Sequence, residues 1–336
     1  MITIKEMANM LGISSTTVSN VIHGKTKEVS QATIDKVNKL VEEYGYVPNI
    51  SASNLASNKS RLIGVGVVSK ENDNNYLRDA FVSELIGVIE RELKKYGYFV
   101  MLYFSETAQE LIRTIKSWNV EGMIFFGMRQ EDCELLQKQY KKPQVYIDSY
   151  FGDTKIKGVD IGLDDRQGGH LMANYLIEQG HKEILFVSDN FAGADYERYC
   201  GFSAAMREAG YHVSQRNYMR LGAGEEDLQK SLAELYRIYH QYSAIFAASD
   251  YYALHIKNYF YDRNIYVPED ISVVGFDDNI YSKMCRPAIT TVHQSPKRKS
   301  ELAVDYMMRL LKGEEIENNW IRLPVELVIR DSVKKV

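Results

Sequence analysis

Leu62-Ile63-Gly64-Val65-Gly66-Val67-Val68 is a run without a polar side chain, rich in β-branched residues and bounded by polar stretches. It reads as a strand buried on both faces. From it the pattern runs forward in alternation. A helical stripe of Phe81, Leu85, Ile89 and Leu93 follows, then strand Val100–Phe104, helix Ala108–Trp118, strand Gly122–Phe126, helix Cys133–Tyr140 and strand Val145–Asp148. The rhythm restarts at Val159–Leu163 and passes through Gly168–Gln179, Ile184–Ser188, Tyr196–Ala209, Asp227–Tyr242, Ala244–Ala248, Tyr252–Tyr261 and Ile271–Phe276. Such alternation predicts parallel sheets covered by helices, here as two similar doubly wound lobes. Ligands of these sheets sit beyond the carboxyl ends of the strands, so two lobes can present those ends to each other across a cleft.

Working back toward the N-terminus, the period becomes helical. Ile4, Met7, Ala8 and Leu11 recur on one face until Gly12. Ser14 can cap a second helix carrying Val18, Val21 and Ile22, and Ser30 a third carrying Ile34, Val37, Leu40 and Val41. Pro48 breaks the third, and residues 49–58 are too rich in Ser and Asn, and too poor in apolar surface, to hold a helix alone. They read as a linker that orders on contact. At the other end, Trp320–Val336 reads as one strand pattern, with Leu323, Val325, Leu327 and Ile329 alternating. No leucine heptads follow it, which favours a dimer over a tetramer.

Composition narrows the class. The 336 residues carry a net charge of −4, with 45% hydrophobic and 26% charged side chains, as expected of a folded chain of more than one domain. No apolar run is long enough to span a membrane and no secretory signal is visible. Cys133, Cys200 and Cys285 match neither a zinc pattern nor a disulfide framework, so a reducing cytoplasm is expected. Residues 1–60 hold six Lys and five Asp or Glu, a net of +1, which alone would not suggest nucleic acid.

Most motifs for chemistry dissolve. Gly64-x-Gly66 lacks the third glycine of a dinucleotide site, no phosphate-binding loop or nucleophile elbow occurs, and the seven His do not pair at metal spacing. Asp164-Asp165 and Asp277-Asp278 each follow an apolar strand and suit either helix capping or a polar ligand. No catalytic residue, metal site or cofactor is expected, and no enzyme. The helix beginning Ser14-Ser15-Thr16-Thr17, after a Gly-containing turn, has the form of a helix-turn-helix, with small polar residues able to reach bases and phosphates. The same pattern also fits an ordinary three-helix cap.

Taken together, the motifs resemble the lac repressor (LacI/GalR) family of bacterial transcription regulators. The residues that carry the resemblance are Thr3-Ile4-Lys5-Glu6-Met7-Ala8, Gly12-Ile13-Ser14, Thr17-Val18-Ser19, Val29-Ser30 and Gly45-Tyr46-Val47-Pro48-Asn49, followed in the core by Asp164-Asp165-Arg166-Gln167-Gly168-Gly169, Arg198-Tyr199-Cys200-Gly201-Phe202, Ile271–Asp278 and Thr290–Gln294. The resemblance implies an all-α helix-turn-helix headpiece (1–47), a hinge helix (48–61) and a two-lobed α/β core like a periplasmic binding protein (62–332). The implied lobes are discontinuous, 62–160 with 295–319 and 161–291 with 321–332. It further implies a homodimer on pseudopalindromic operator DNA, controlled by a small effector in the cleft, with induction and corepression both open.

By position, Ser15, Thr16 and Asn20 would face the major groove, with Thr3, Ser14, Ser19 and Asn49 also at the DNA. Ala52 and Leu55 match the hinge helix, and Leu55 would wedge into the minor groove. Asn20 stands where the family commonly has Arg, so it prefers adenine or a phosphate to guanine. Asp148, Arg198, Ser249, Asp277 and Gln294 fall where the family binds effector. Carboxylates beside a guanidinium suit a mono- or disaccharide, with a purine or another metabolite as the second choice. Tyr76, Tyr150, Phe151 and Phe191 could stack on a sugar ring. Two departures leave the ligand open, namely Ser249 in place of the usual Asn and Ser69–Tyr76 in place of the usual first-lobe loop. The rivals are a sugar-binding transport component, since the core alone would look similar, and a cytoplasmic enzyme on a doubly wound core.

Overall fold

The computed structural model describes residues 2–47, 59–68, 77, 79–151, 156–222 and 224–336. The chain divides into two compact units, residues 1–60 and 61–336.

The first unit is helical, with helices at Ile4–Leu11, Ser15–Ile22 and Gln31–Glu43. Each begins where a side chain satisfies a free backbone donor. Thr3 and Glu6 form a reciprocal capping box, the Thr3 hydroxyl accepting from the Glu6 N–H at 3.2 Å and the Glu6 carboxylate from the Thr3 N–H at 2.8 Å. Ser14 accepts from the Thr17 N–H at 3.0 Å, and Ser30 from the Thr33 N–H at 3.4 Å. Gly12 closes the first helix at φ +64°, a left-handed turn that glycine adopts without strain. Met7, Ala8, Val18, Val21 and Val37 bury together as the core of the unit. The hinge positions Asn49, Ala52 and Leu55 lie outside the described residues.

The second unit contains strands β1 (Leu62–Val68), β2 (Phe99–Ser105), β3 (Gly122–Phe126), β4 (Gln144–Ile147), β5 (Val159–Leu163), β6 (Ile184–Ser188), β7 (Tyr218–Arg220), β8 (Ala244–Ala247), β9 (Ser272–Val274), β10 (Thr291–His293), β11 (Trp320–Leu323) and β12 (Glu326–Val328). Six form one parallel sheet in the order β11-β5-β4-β3-β1-β2, and four form a second in the order β7-β6-β8-β9. β10 and β12 pair antiparallel. Both sheets are covered on both faces, which is why their strands read as unbroken apolar runs. In the first lobe Ile63, Val65, Ile124 and Val145 pack against the 80–95 and 296–311 helices, while Met123, Phe125 and Tyr146 face the 108–117 and 130–139 helices. The second lobe repeats this, with Leu185, Ile245 and Val273 on one side and Phe186, Phe246 and Val274 on the other. The Gly64-x-Gly66 pair serves packing: a Cβ at Gly64 would lie 2.1 Å from the Met123 sulfur.

Two sequence expectations need revision. The tail is two strands rather than one, because Pro324 ends β11 in the first sheet and the chain re-enters at β12 beside β10. The expected lobe limits at 161 and 321 also cut through β5 and β11, both of which lie whole in the first sheet up to Leu163 and Leu323.

One buried titratable group gives the second lobe a pH dependence. His181 is fully buried between the Ser243 hydroxyl (2.9 Å) and the Lys334 carbonyl (3.1 Å). Burial lowers its pKa from the ordinary value. A depressed folded-state pKa means that the neutral ring is the stabilising form. Its contribution is present above the unfolded value near 6.5 and is lost as pH falls below it, with a slope of up to about 1.4 kcal/mol per pH unit. Thermal melts should fall between about pH 6.5 and 5, and His181→Asn should flatten that part of the profile.

Candidate functional site

In the first unit, the 15–22 helix turns Val18 and Val21 into the core. Ser15 and Ser19, and Thr16 and Asn20, are spaced four apart, so the two pairs share the other side. Ser15 and Thr16 are exposed, while Ser19 and Asn20 are partly exposed. Ser14 and Thr3 are exposed too, but their hydroxyls are engaged as helix caps. The Ser19 carbonyl accepts from the His23 ring Nδ1 at 2.8 Å, which ties off the end of the helix.

In the second unit, residues from both lobes converge beyond the carboxyl ends of β4, β8 and β9. Asp148 follows β4 at φ +53°, a left-handed turn that aims its carboxylate at Lys299. Lys299, fully buried on the 296–311 helix, donates to both Asp148 oxygens (2.7 and 2.6 Å) and to Gln294 Oε1 at 2.8 Å. Gln294 Nε2 in turn donates to Asp277 Oδ1 at 2.5 Å. Gln294 sits where the chain crosses between lobes, so this link joins the first lobe to the second. A second link is made by Tyr150, which donates from its hydroxyl to Asp165 at the start of the 165–178 helix.

Arg198 is the centre of the second-lobe side. Its Nε donates to Asp165 Oδ1 at 2.7 Å and its Nη1 to the Ala248 carbonyl at 2.6 Å. Asp195 and Asp277 flank the same Nη1 at 3.7 and 3.8 Å. The guanidinium lies over the Phe276 ring, 3.7 Å from its centre. Burial works to lower the Arg198 pKa, but the surrounding Asp165, Asp277 and Asp195 raise it above the ordinary value. Burial pushes the Asp195 and Asp277 carboxyls well above the carboxylate range against the pull of Arg198.

The other expected residues divide. Ser249 is partly exposed and accepts from the Tyr252 N–H at 3.4 Å as a helix cap. Phe151 is buried in the first-lobe core against Tyr146 and Trp320, so it cannot stack on a ligand. Phe191 is half exposed at the end of β6, held by Tyr196, Tyr199 and Tyr218. Tyr76 lies outside the described residues. The acidic pairs split by role: Asp164 caps its helix while Asp165 binds Arg198, and Asp278 is taken up by Arg330, His293 and Lys283 while Asp277 joins the cluster. Lys299, Asp195 and Phe276 were missed. Only Phe276 stood in a recognised motif.

Among the described residues no group of side chains is arranged to hold a metal ion, and no helix is long and apolar enough to cross a membrane. Residues 3–49 match the bacterial regulatory proteins of the lacI family, and residues 173–333 match the periplasmic binding protein-like domain. The HTH-type transcriptional repressor PurR of Vibrio vulnificus (strain CMCP6) is 32% identical over 344 residues, covering the whole of both chains. The chain belongs to the lacI family. It is a DNA-binding transcription regulator, and its curated relatives are repressors rather than enzymes. The PurR repressor of Pasteurella multocida (strain Pm70) is also 32% identical, over 99% of each chain. Among solved structures, the lac repressor dimer bound to operator and the anti-inducer ONPF superposes with a TM-score of 0.85 at 22% identity over 99% of both chains. The regulator CelR in complex with cellobiose gives 0.73 at 24% over 99% and 100%. At those identities the two structures establish the shared fold.

Proposed function

We propose that this lacI-family regulator is a homodimer whose grip on a pseudopalindromic operator is set by a mono- or disaccharide bound between the lobes. The observation that carries the reading is the pair of links across the cleft, Gln294 to Asp277 and Tyr150 to Asp165. A polyhydroxyl ligand at Asp148, Arg198 and Asp277 would exchange hydroxyls for those links and alter how the lobes meet. It acts only through its different affinity for the two arrangements. In this reading the first lobe takes the chain through β5, the 296–311 helix and β11, and the second takes the rest of the core.

The homodimer is supported by apolar side chains left in the open. β2 is an edge strand with Phe99 and Leu102 exposed, and Ile280 and Met284 stand exposed four residues apart. At the headpiece, Ser15, Thr16 and Asn20 would read the major groove, with Thr3, Ser14, Ser19 and Asn49 positioning the backbone. Ala52 and Leu55 would belong to the hinge helix, with Leu55 wedged into the minor groove.

The test is anisotropy of the full chain on its own upstream DNA, with and without a panel of mono- and disaccharides. Specific binding relieved or strengthened by one sugar is the expected result. A response to a purine base alone would keep the regulator and replace the ligand. Asn20→Ala should weaken operator binding by about 1–3 kcal/mol, roughly fivefold to 150-fold, and relax preference at one base pair in each half-site. An equal loss on every sequence would instead assign Asn20 to a phosphate.

A further inference from the structure

The charges in the cleft do not balance. Asp148 is matched by Lys299, whose ammonium meets both of its oxygens. Asp165 is matched by Arg198 through the Nε bond. Asp195 and Asp277 are left to share one nitrogen of that same guanidinium, at 3.7 and 3.8 Å, beyond hydrogen-bond reach. Among the described residues four carboxylates therefore face two cations, and all six side chains are at least four-fifths buried. Buried carboxylates in excess either hold protons or wait for a cation, since water is not there to solvate them. Burial first, and neighbouring carboxylates after it, raise the pKa values of Asp195 and Asp277 against the pull of Arg198. Asp79, which caps the 80–95 helix of the first lobe, and Asp189 after β6 add further negative charge toward this cluster. Residues 69–78 hold Lys70 and Arg78 against Glu71 and Asp73, and residues 152–155 hold Lys155 against Asp153, so the composition of neither stretch brings a net cation.

We infer that the effector of this regulator carries a protonated amine, in the class of an amino sugar, with the amine received between Asp195 and Asp277. The inference rests on the cleft being the effector site. The hydroxyls of such a ligand are served by Asp148, Gln294 and Arg198, and its ammonium supplies the positive charge that Asp195 and Asp277 lack, each of them holding only a neutral amide bond, from Asn190 Nδ2 at 3.0 Å and from Gln294 Nε2 at 2.5 Å. The same arithmetic turns away phosphorylated or carboxylated effectors, which would add negative charge to a site already in excess. An amine there would also favour lobe approach. Asp277 belongs to the second lobe and the negative charge of Asp79 reaches it from the first, so a cation held there removes a repulsion that opposes lobe approach.

The test is isothermal titration of the full-length chain at neutral pH with D-glucosamine and D-galactosamine, their unsubstituted parent sugars and the 6-phosphates of those parents. An amino sugar should bind at least about tenfold tighter than its parent, with no binding by the phosphates. Asp195→Asn should cut that advantage of amine over parent about tenfold. A parent sugar or phosphate that binds tighter than the amine overturns the inference, and so does an advantage that Asp195→Asn leaves intact. If the tighter-binding parent also shifts operator affinity, the cleft reading survives and only the charge inference falls. If an amine binds equally well to Asp277→Asn and Arg198→Ala, both fall. Failure of either amine to bind at millimolar concentration likewise overturns the inference.

Discussion

Gly201→Ala is expected to destabilise the second lobe by about 3 kcal/mol or more and to abolish the effector response with it. The 165–178 and 193–208 helices touch backbone to backbone at two glycines. A Cβ on Gly201 would lie 1.9 Å from the Arg166 carbonyl oxygen, and one on Gly169 would lie 2.0 Å from the Arg198 carbonyl oxygen. Neither neighbour is a side chain that can rotate away, so the helices must separate. That separation moves Asp165 and Arg198 apart, since one stands on each helix and their 2.7 Å bond fixes both. A loss of this size in a core of two to three hundred residues corresponds to a fall in Tm of roughly 6–12 °C. Gly87→Ala is the control. Gly87 lies in the 80–95 helix with open space around its Cβ position, so alanine there should be neutral or stabilise by up to about 1 kcal/mol. Differential scanning calorimetry of the two variants separates them, and a harmless Gly201→Ala would mean that the helices tolerate a wider crossing than their contact indicates.

That crossing shows what could and could not be read from the residues in order. Both glycines stood in recognised motifs, Gly168-Gly169 and Arg198-x-x-Gly201, yet spacing gives no hint that they meet each other. The strands were legible because burial on both faces leaves an unbroken apolar run, as in Leu62–Val68 and Ile184–Ser188. The short edge strand Tyr218–Arg220 was not, since one neighbour and three residues leave no periodicity to find. Helix starts were legible at Ser14 and Ser30 because the cap is local chemistry. Lys299 was invisible for the opposite reason. Its sequence neighbours Lys297 and Arg298 are exposed, and only the fold turns it inward to Asp148, 151 residues away. Phe151 misled because it follows a strand, as a ligand-stacking residue would, but the left-handed backbone at Asp148 and Tyr150 turns the chain back into the core.

Arg198→Met should remove about 3–5 kcal/mol of stability at neutral pH and leave the protein unable to respond to effector. Methionine keeps the unbranched apolar stem of the side chain but not its guanidinium, so part of the packing is retained. What disappears is the only cation within reach of Asp165, Asp195 and Asp277 among the described residues, apart from Lys299, which Asp148 occupies. The sign of the pH dependence follows. Burial already raises these carboxyls and Arg198 is the group that opposes it, so without Arg198 their folded-state pKa values rise further above the unfolded value near 3.9. Groups of that kind stabilise the fold below the unfolded pKa and lose their contribution as pH climbs toward the folded one. The deficit relative to wild type should therefore be small near pH 4 and grow toward pH 7. Adding Asp165→Asn to Arg198→Met should restore part of the loss at neutral pH, because the amide has no charge to strand. Denaturant melts of the four proteins of that double-mutant cycle across this range provide the measurement. A deficit that stays constant with pH and is unmoved by Asp165→Asn would place the role of Arg198 in its 3.7 Å contact with the Phe276 ring rather than in the carboxylates around it.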